Sequence, residues 1–227
     1  MLLLWKSFVL AFSALLPLVN PLGSALIFLG LVGPEPIGVY RSLSRKIAVN
    51  TVLFFAVVQL IGSAILSFFG ISLPIVQLSG GLVIASIGWS TLNQTDTSSN
   101  SEKNQMAEEM KDEPVTNNNL EEKSFYPFTF PITAGPGCIV VMLTLSARTA
   151  QPTLSGTIIT HLGIFLAAAI LSLLVYVCYS RAPRIASAVS PATAHGILRV
   201  MAFILVCIGV QIAWNGLSAL LTIVKHS

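Results

Sequence analysis

The chain has 227 residues, of which 54% are hydrophobic and only 9% charged, and its formal charge is +3. Charge this sparse excludes an ordinary soluble domain and offers no basic surface for nucleic acid; meaning lies in where the few charges fall. Uncharged runs cover residues 7–34, 47–95, 124–147, 149–180 and 200–224. A ~30 Å hydrocarbon core needs roughly 20 apolar helical residues, so each run predicts a membrane span, and the second, with a turn signal in its middle, divides in two. The expected fold is an all-α integral membrane protein with six transmembrane helices.

Span one is expected from about Leu3 to Val32. AFS at Ala11–Ser13 has the small residues of a signal-peptide cleavage site, but the run continues to Val32 and is read as a retained span. It contains PLVNPLG, Pro17–Gly23. Proline removes a backbone donor and clashes with the preceding turn, so this stretch predicts a broken helix, which persists at membrane depth only against protein or water. GPEP at Gly33–Pro36 closes the span. Arg41, Arg45 and Lys46 are expected at the entrance to span two, about Ile47–Phe69, against anionic headgroups. FFGISLP at Phe68–Pro74 is the turn. Span three, about Ile71–Leu92, carries SGG at Ser79–Gly81 with Ser86 and Gly88, small residues that let helix backbones approach closely.

Composition changes abruptly over residues 93–123, which hold eight of the nine acids and three lysines. With little to bury, this segment predicts a flexible acidic connector between a first three-helix repeat, residues 1–92, and a second, residues 124–227. Span four, about Phe125–Ala147, contains PITAGPG, Pro131–Gly137, with the same proline-to-glycine distance as the first stretch. Span five, about Leu154–Ser180, contains His161; an intramembrane histidine either relays protons or holds a packing hydrogen bond. Span six, about Leu198–Val224, places Gln211 and Asn215 on one helical face, where they bond neighbouring helices or line a polar cavity. Cys138, Cys178 and Cys207 lie inside apolar runs, so neither a disulfide framework, a metal site nor another cofactor is expected.

Counting Lys and Arg by side sets the orientation. Six straight crossings put Lys6, Arg148 and Lys225 on one face and Arg41, Arg45, Lys46, Lys103, Lys111, Lys123, Arg181, Arg184 and Arg199 on the other. Both termini are therefore expected outside and the acidic connector in the cytoplasm, provided neither broken helix is re-entrant. An offset of 114 superposes Pro17 on Pro131 and Gly23 on Gly137; an offset of 121 superposes Gly81–Gly88 on Ala202–Gly209. Three spans per half make this a 3+3 inverted repeat, with helices 1 and 4 broken by the Pro/Gly motifs. Broken helices release backbone N–H and C=O groups to a solute. The expected site lies near the midplane, lined by Asn20, Pro21, Gly23, Ser24, Thr133, Gly135, Pro136 and Gly137, with His161, Gln211 and Asn215 as secondary polar candidates. The alternative is that the prolines only kink two packed helices.

NPLG at Asn20–Gly23, FGISLP with SGG, FPITAGPG at Phe130–Gly137 and RVMAFILVCIGVQIAWNG at Arg199–Gly216 resemble the MarC family of bacterial inner-membrane proteins over essentially the whole chain. That family is similar in plan to LysE-type exporters. The resemblance implies a six-span transporter with periplasmic termini and a small neutral amino acid as one substrate class. Ala202 departs from it, where glycine is expected. No acid lies within a span, which disfavours a cationic solute and leaves sodium, a proton through His161, or neither as the coupling ion. No phosphate loop is present, so export is secondary or passive, and no nucleophile, base or metal cluster suggests an enzyme. Lipid and a small solute are the expected partners, with a homo-oligomer open. The competing reading is a structural or regulatory membrane protein acting through its acidic loop.

Overall fold

The computed structural model describes residues 2–93, 123–147, 153–188 and 190–226; most of the acidic connector, and Arg148, fall outside them. The described residues are helical throughout: α1 (Leu2–Val19), α2 (Pro21–Val32), α3 (Ile37–Phe68), α4 (Leu73–Asn93), α5 (Ser124–Thr133), α6 (Pro136–Ala147), α7 (Leu154–Ser180), α8 (Ala182–Ala188) and α9 (Pro191–His226). Five stretches are long and apolar enough to cross a membrane: Leu2–Val32, Ile37–Gly62, Leu73–Asn93, Leu154–Ser180 and His195–Thr222. The α5–α6 pair makes a sixth if it counts as one span, but it bends by 71°.

Helix ends follow the turn chemistry. Gly33 and Gly70 adopt positive φ, 73° and 66°, which glycine reaches without a Cβ penalty. They end α2 and α3 at the two expected turns. Ser190 accepts the Thr193 N–H at 3.2 Å ahead of Pro191, a side-chain cap followed by a proline that needs no partner.

Two boundaries correct the expectation. Helix α3 begins at Ile37, ten residues before Ile47, so Arg41, Arg45 and Lys46 ride on the helix instead of preceding it. The reason is visible in burial: Tyr40, Leu43, Ser44, Ile47, Thr51, Phe55 and Gln59 form one inward stripe at helical spacing, while Arg41 and Arg45 point outward. Helix α9 likewise starts at Pro191, not Leu198, and short α8 was not anticipated.

Most of the inward surface is apolar and includes Leu15, Phe28, Ile84, Met142, Ile164 and Leu171. The outward surface is apolar as well: Leu53, Leu60, Leu82, Trp89, Leu162, Phe203 and Trp214 are each more than half exposed. Faces of this kind are stable against hydrocarbon and sticky in water.

Helices α4 and α9 form the most extensive pairing among the described residues. Their backbones nearly touch. A Cβ on Gly81 would lie 2.3 Å from Ala213 N, one on Gly88 2.8 Å from Ala202 O, and one on Gly216 2.5 Å from Pro74 O. The approach stays close at Ala202, despite the methyl group standing where glycine was expected.

Candidate functional site

Helix α1 stops at Val19 because Asn20 turns left-handed, φ 42° and ψ 66°. Asparagine tolerates this region through local hydrogen bonding. Its Oδ1 accepts the Gly23 N–H at 3.2 Å, and the following Pro21 has no N–H to satisfy. The Asn20 N–H still reaches Leu16 O at 2.9 Å, and the Ser24 N–H reaches Asn20 O at 2.9 Å. The Ser24 hydroxyl donates to Val19 O at 2.8 Å. The Asn20 amide nitrogen takes no partner among the described residues.

The second interruption is built differently. Residues Ser124–Thr133 follow wide turns with Pro127 and Pro131 inside, each after a cis peptide bond. Backbone bonds here run five residues back, from Phe128 N to Lys123 O and from Ala134 N to Thr129 O. Two threonines, each two residues beyond a proline, supply donors: Thr129 Oγ1 to Ser124 O at 2.8 Å and Thr133 Oγ1 to Phe128 O at 2.6 Å. Helix α6 restarts at Pro136 after Ala134 and Gly135.

The two interruptions abut. Ser24 Oγ also reaches Ile132 O at 3.4 Å, and Thr133 Oγ1 lies 2.8 Å from the Tyr179 hydroxyl, which bonds with the Ser24 hydroxyl as well. Ser24, Thr133 and Tyr179 are all fully buried. A Cβ on Gly137 would stand 2.8 Å from Leu18 Cδ2, so the restart of α6 presses on the end of α1. Pro21 and Gly23 are buried in the same junction, Asn20 and Gly135 are half-buried, and Pro136 is exposed.

Chemically, the node is a set of carbonyl oxygens: the single Ser24 hydroxyl proton serves Val19 O at 2.8 Å with Ile132 O at 3.4 Å from the same oxygen, and the Thr133 hydroxyl serves Phe128 O. A solute that displaced those hydroxyls would have to bring donors of its own, because an unmet carbonyl in a dry interior costs about 1–3 kcal/mol. The Asn20 amide adds a donor and the hydroxyls add acceptors, so a neutral or zwitterionic polar group suits the node. Among the described residues no three His, Cys, Asp or Glu side chains gather as a metal site would require.

The secondary candidates lie elsewhere. His161 pairs with α3, where the Gln59 amide nitrogen stands 3.0 Å from both its Nδ1 and its carbonyl oxygen. Gln211 bonds Asn215 at 3.0 Å on the outer face of α9. Tyr179, Phe28 and Gln59 were missed. A tyrosine or glutamine inside an apolar run needs a polar partner, and that was the available signal for two of them. An open recess of about 420 Å³ lies at the far end of α2, lined by Leu29, Gly30, Gly33, Pro34, Glu35, Tyr40 and Pro183.

Residues 5–221 match the family described as MarC family integral membrane protein. The inner membrane protein MarC of Salmonella typhimurium (strain LT2) is 34% identical over 218 residues, covering 94% of this chain and 95% of its own. The inner membrane protein MarC of Escherichia coli O1:K1 / APEC is 30% identical over 218 residues, covering 96% of each. No solved structure matches the chain.

Proposed function

The chain belongs to the MarC family of integral membrane proteins, and on that premise we propose that it is an inner-membrane secondary transporter for a small polar solute, a neutral amino acid being one candidate. One observation carries the reading: two helix interruptions meet in the interior, with Ser24 Oγ on Ile132 O and Thr133 Oγ1 on the Tyr179 hydroxyl. One proline kink needs no ligand. Two interruptions that share one buried hydroxyl network, between helices long enough to span a bilayer, supply the polar groups and the hinge points that alternating access requires.

In this reading the node is closed, its hydroxyls holding the carbonyls that a solute would engage. Helices α4 and α9 run antiparallel, Gly81 against Gly209 and Gly88 against Ala202, which is the relative sense that spans three and six have in the inverted repeat of this reading. A Cβ on Gly81 would lie 2.6 Å from Gly209 O, and one on Gly88 2.8 Å from Ala202 O. The basic residues of α3 and α8 point to the cytoplasm for the recess end and to the periplasm for the termini. No catalytic step is part of this reading.

Purified protein in proteoliposomes, loaded with neutral amino acids and organic anions, tests it. The expected result is saturable flux of at least one neutral solute, reduced by Thr133→Val, with imposed sodium and pH gradients showing whether either ion is coupled. No saturable flux of any solute across the panel would sink the transporter reading.

A further inference from the structure

We propose that Phe28 is the gate between the recess and the hydroxyl node at the two interruptions. The gate rests on the transport reading, since a plug needs a path to close, but its test reads water access and requires no solute. Phe28 is fully buried one helical turn beyond Ser24. Its ring stacks on Tyr179, with centroids 4.6 Å apart and planes at 18°. It meets Phe128 and Tyr40 nearly edge-on at 5.4 and 5.9 Å.

Those neighbours place it on a boundary. Tyr179 belongs to the node, because its hydroxyl is held by Thr133. Tyr40 belongs to the recess wall, together with Leu29, Gly30 and Gly33. Phe28 touches both tyrosines, so the displacement of one side chain joins the recess to the node. Both tyrosines are anchored, Tyr179 to Thr133 and Tyr40 through its hydroxyl to Gly33 O. Phe28 has no polar atom to tie it, and of the two phenylalanines in the cluster, Phe28 and Phe128, it is the one whose ring meets both tyrosines. Ring contacts of this kind each bias an opening equilibrium by roughly two- to tenfold, so three keep the passage shut at rest and still allow it to open.

The test uses the full chain with Cys138, Cys178 and Cys207 replaced by alanine and a single Ser24→Cys, probed with a membrane-impermeant methanethiosulfonate in inside-out membrane vesicles, which present the recess end to the reagent. With Phe28 in place the thiol is expected to be protected. Phe28→Ala should raise its labelling rate by about tenfold or more, and Phe28→Leu by less. Adding Gly30→Trp to Phe28→Ala should restore protection, because a side chain at Gly30 meets nothing within 4 Å and fills the recess. Equal labelling with Phe, Leu and Ala at position 28 overturns the gate. So does an equal rise from Leu15→Ala, a fully buried site on α1, which would mean general loosening. If the alanine variant does not fold, Phe28→Leu decides alone: a rise supports the gate and no rise removes it. Gated labelling without flux of any solute would spare the gate and remove the transport reading. Flux with unchanged labelling would remove the gate alone.

Discussion

Between α4 and α9 the contact is backbone against backbone: the Cβ that Gly81 lacks would lie 2.3 Å from Ala213 N, and the one Gly209 lacks 2.4 Å from Ala85 N. At the interruptions the contact is side chain against backbone, with Ser24, Thr129 and Thr133 hydroxyls on the carbonyls of Val19, Ser124 and Phe128. The two arrangements differ in freedom. The seam depends on the absence of atoms, since a Cβ on Gly81, Gly88 or Gly209 would lie 2.3, 2.8 or 2.4 Å from backbone of the facing helix. The hydroxyls can rotate away from one carbonyl to another acceptor or to a solute. The fold thus joins two helices packed backbone to backbone to a junction held by rotatable hydroxyls, and the proposed transport reading assigns the moving part to the junction.

The largest expected effect tests the rigid side. Gly81→Ala sets a methyl group 2.3 Å from Ala213 N and 2.6 Å from Gly209 O, both backbone atoms that cannot move without parting the helices. Overpacking of this type costs roughly 1–3 kcal/mol or more, and thermal unfolding in detergent should show a large fall. Gly38→Ala, where a Cβ meets nothing within 4 Å on α3, is expected to be neutral or to stabilise by about 0.4–1 kcal/mol. Equal melting of the two variants would break the comparison.

A smaller effect is expected at the adaptable side. Asn20→Ala puts alanine in the left-handed region, at about 1–2 kcal/mol, and removes the side chain that accepts the Gly23 N–H. Asn20→Gly keeps the backbone at home and loses only a few tenths of a kcal/mol from the cap. Stability should therefore rank wild type, then glycine, then alanine. On the proposed transport reading, flux should fall in both variants alike, because both lose the Asn20 amide nitrogen that the reading gives to the solute. Full flux in Asn20→Gly would reduce Asn20 to a shape-keeping residue.

Much of this division was legible in the sequence, and the limits have physical causes. Pro17–Gly23 and Pro131–Gly137 announce irregular backbone, since proline cannot donate to the helix ladder. Gly33 and Gly70 announce turns. The small residues of span three announce the seam, and Gly88 and Gly209 occur in matching octets. The start of α3 was misjudged because three basic residues hid the stripe through Tyr40, Leu43 and Ser44, which a helix keeps inward while its charges point outward. The wide turns of α5 were not legible at all. Pro-x-Thr occurs twice, at Pro127–Thr129 and Pro131–Thr133, but whether a threonine hydroxyl replaces a missing N–H depends on turn width, which local propensity does not set. Tyr179 was hidden for another reason: its partners come from residues 24 and 133, distant in the chain.

The smallest effect belongs to a polar contact outside both regions. Gln59 is nearly fully buried on α3 and its amide nitrogen faces His161 Nδ1 and His161 O. Because an amide N–H₂ only donates, Nδ1 serves as the acceptor in this contact. The Ser146 hydroxyl donates to Gln59 O of the backbone at 2.7 Å and does not depend on the Gln59 side chain. Gln59→Leu therefore removes two N–H donors, one to each acceptor, and leaves the α3–α6 link intact. Interhelical hydrogen bonds of this kind within membranes average about 0.6 kcal/mol, so Gln59→Leu should melt only slightly below wild type. Its flux should keep the wild-type dependence on pH. A shifted pH profile at nearly unchanged stability would instead make His161 part of the transport cycle, and the region that rearranges would then extend from the interruptions to the α3–α7 interface.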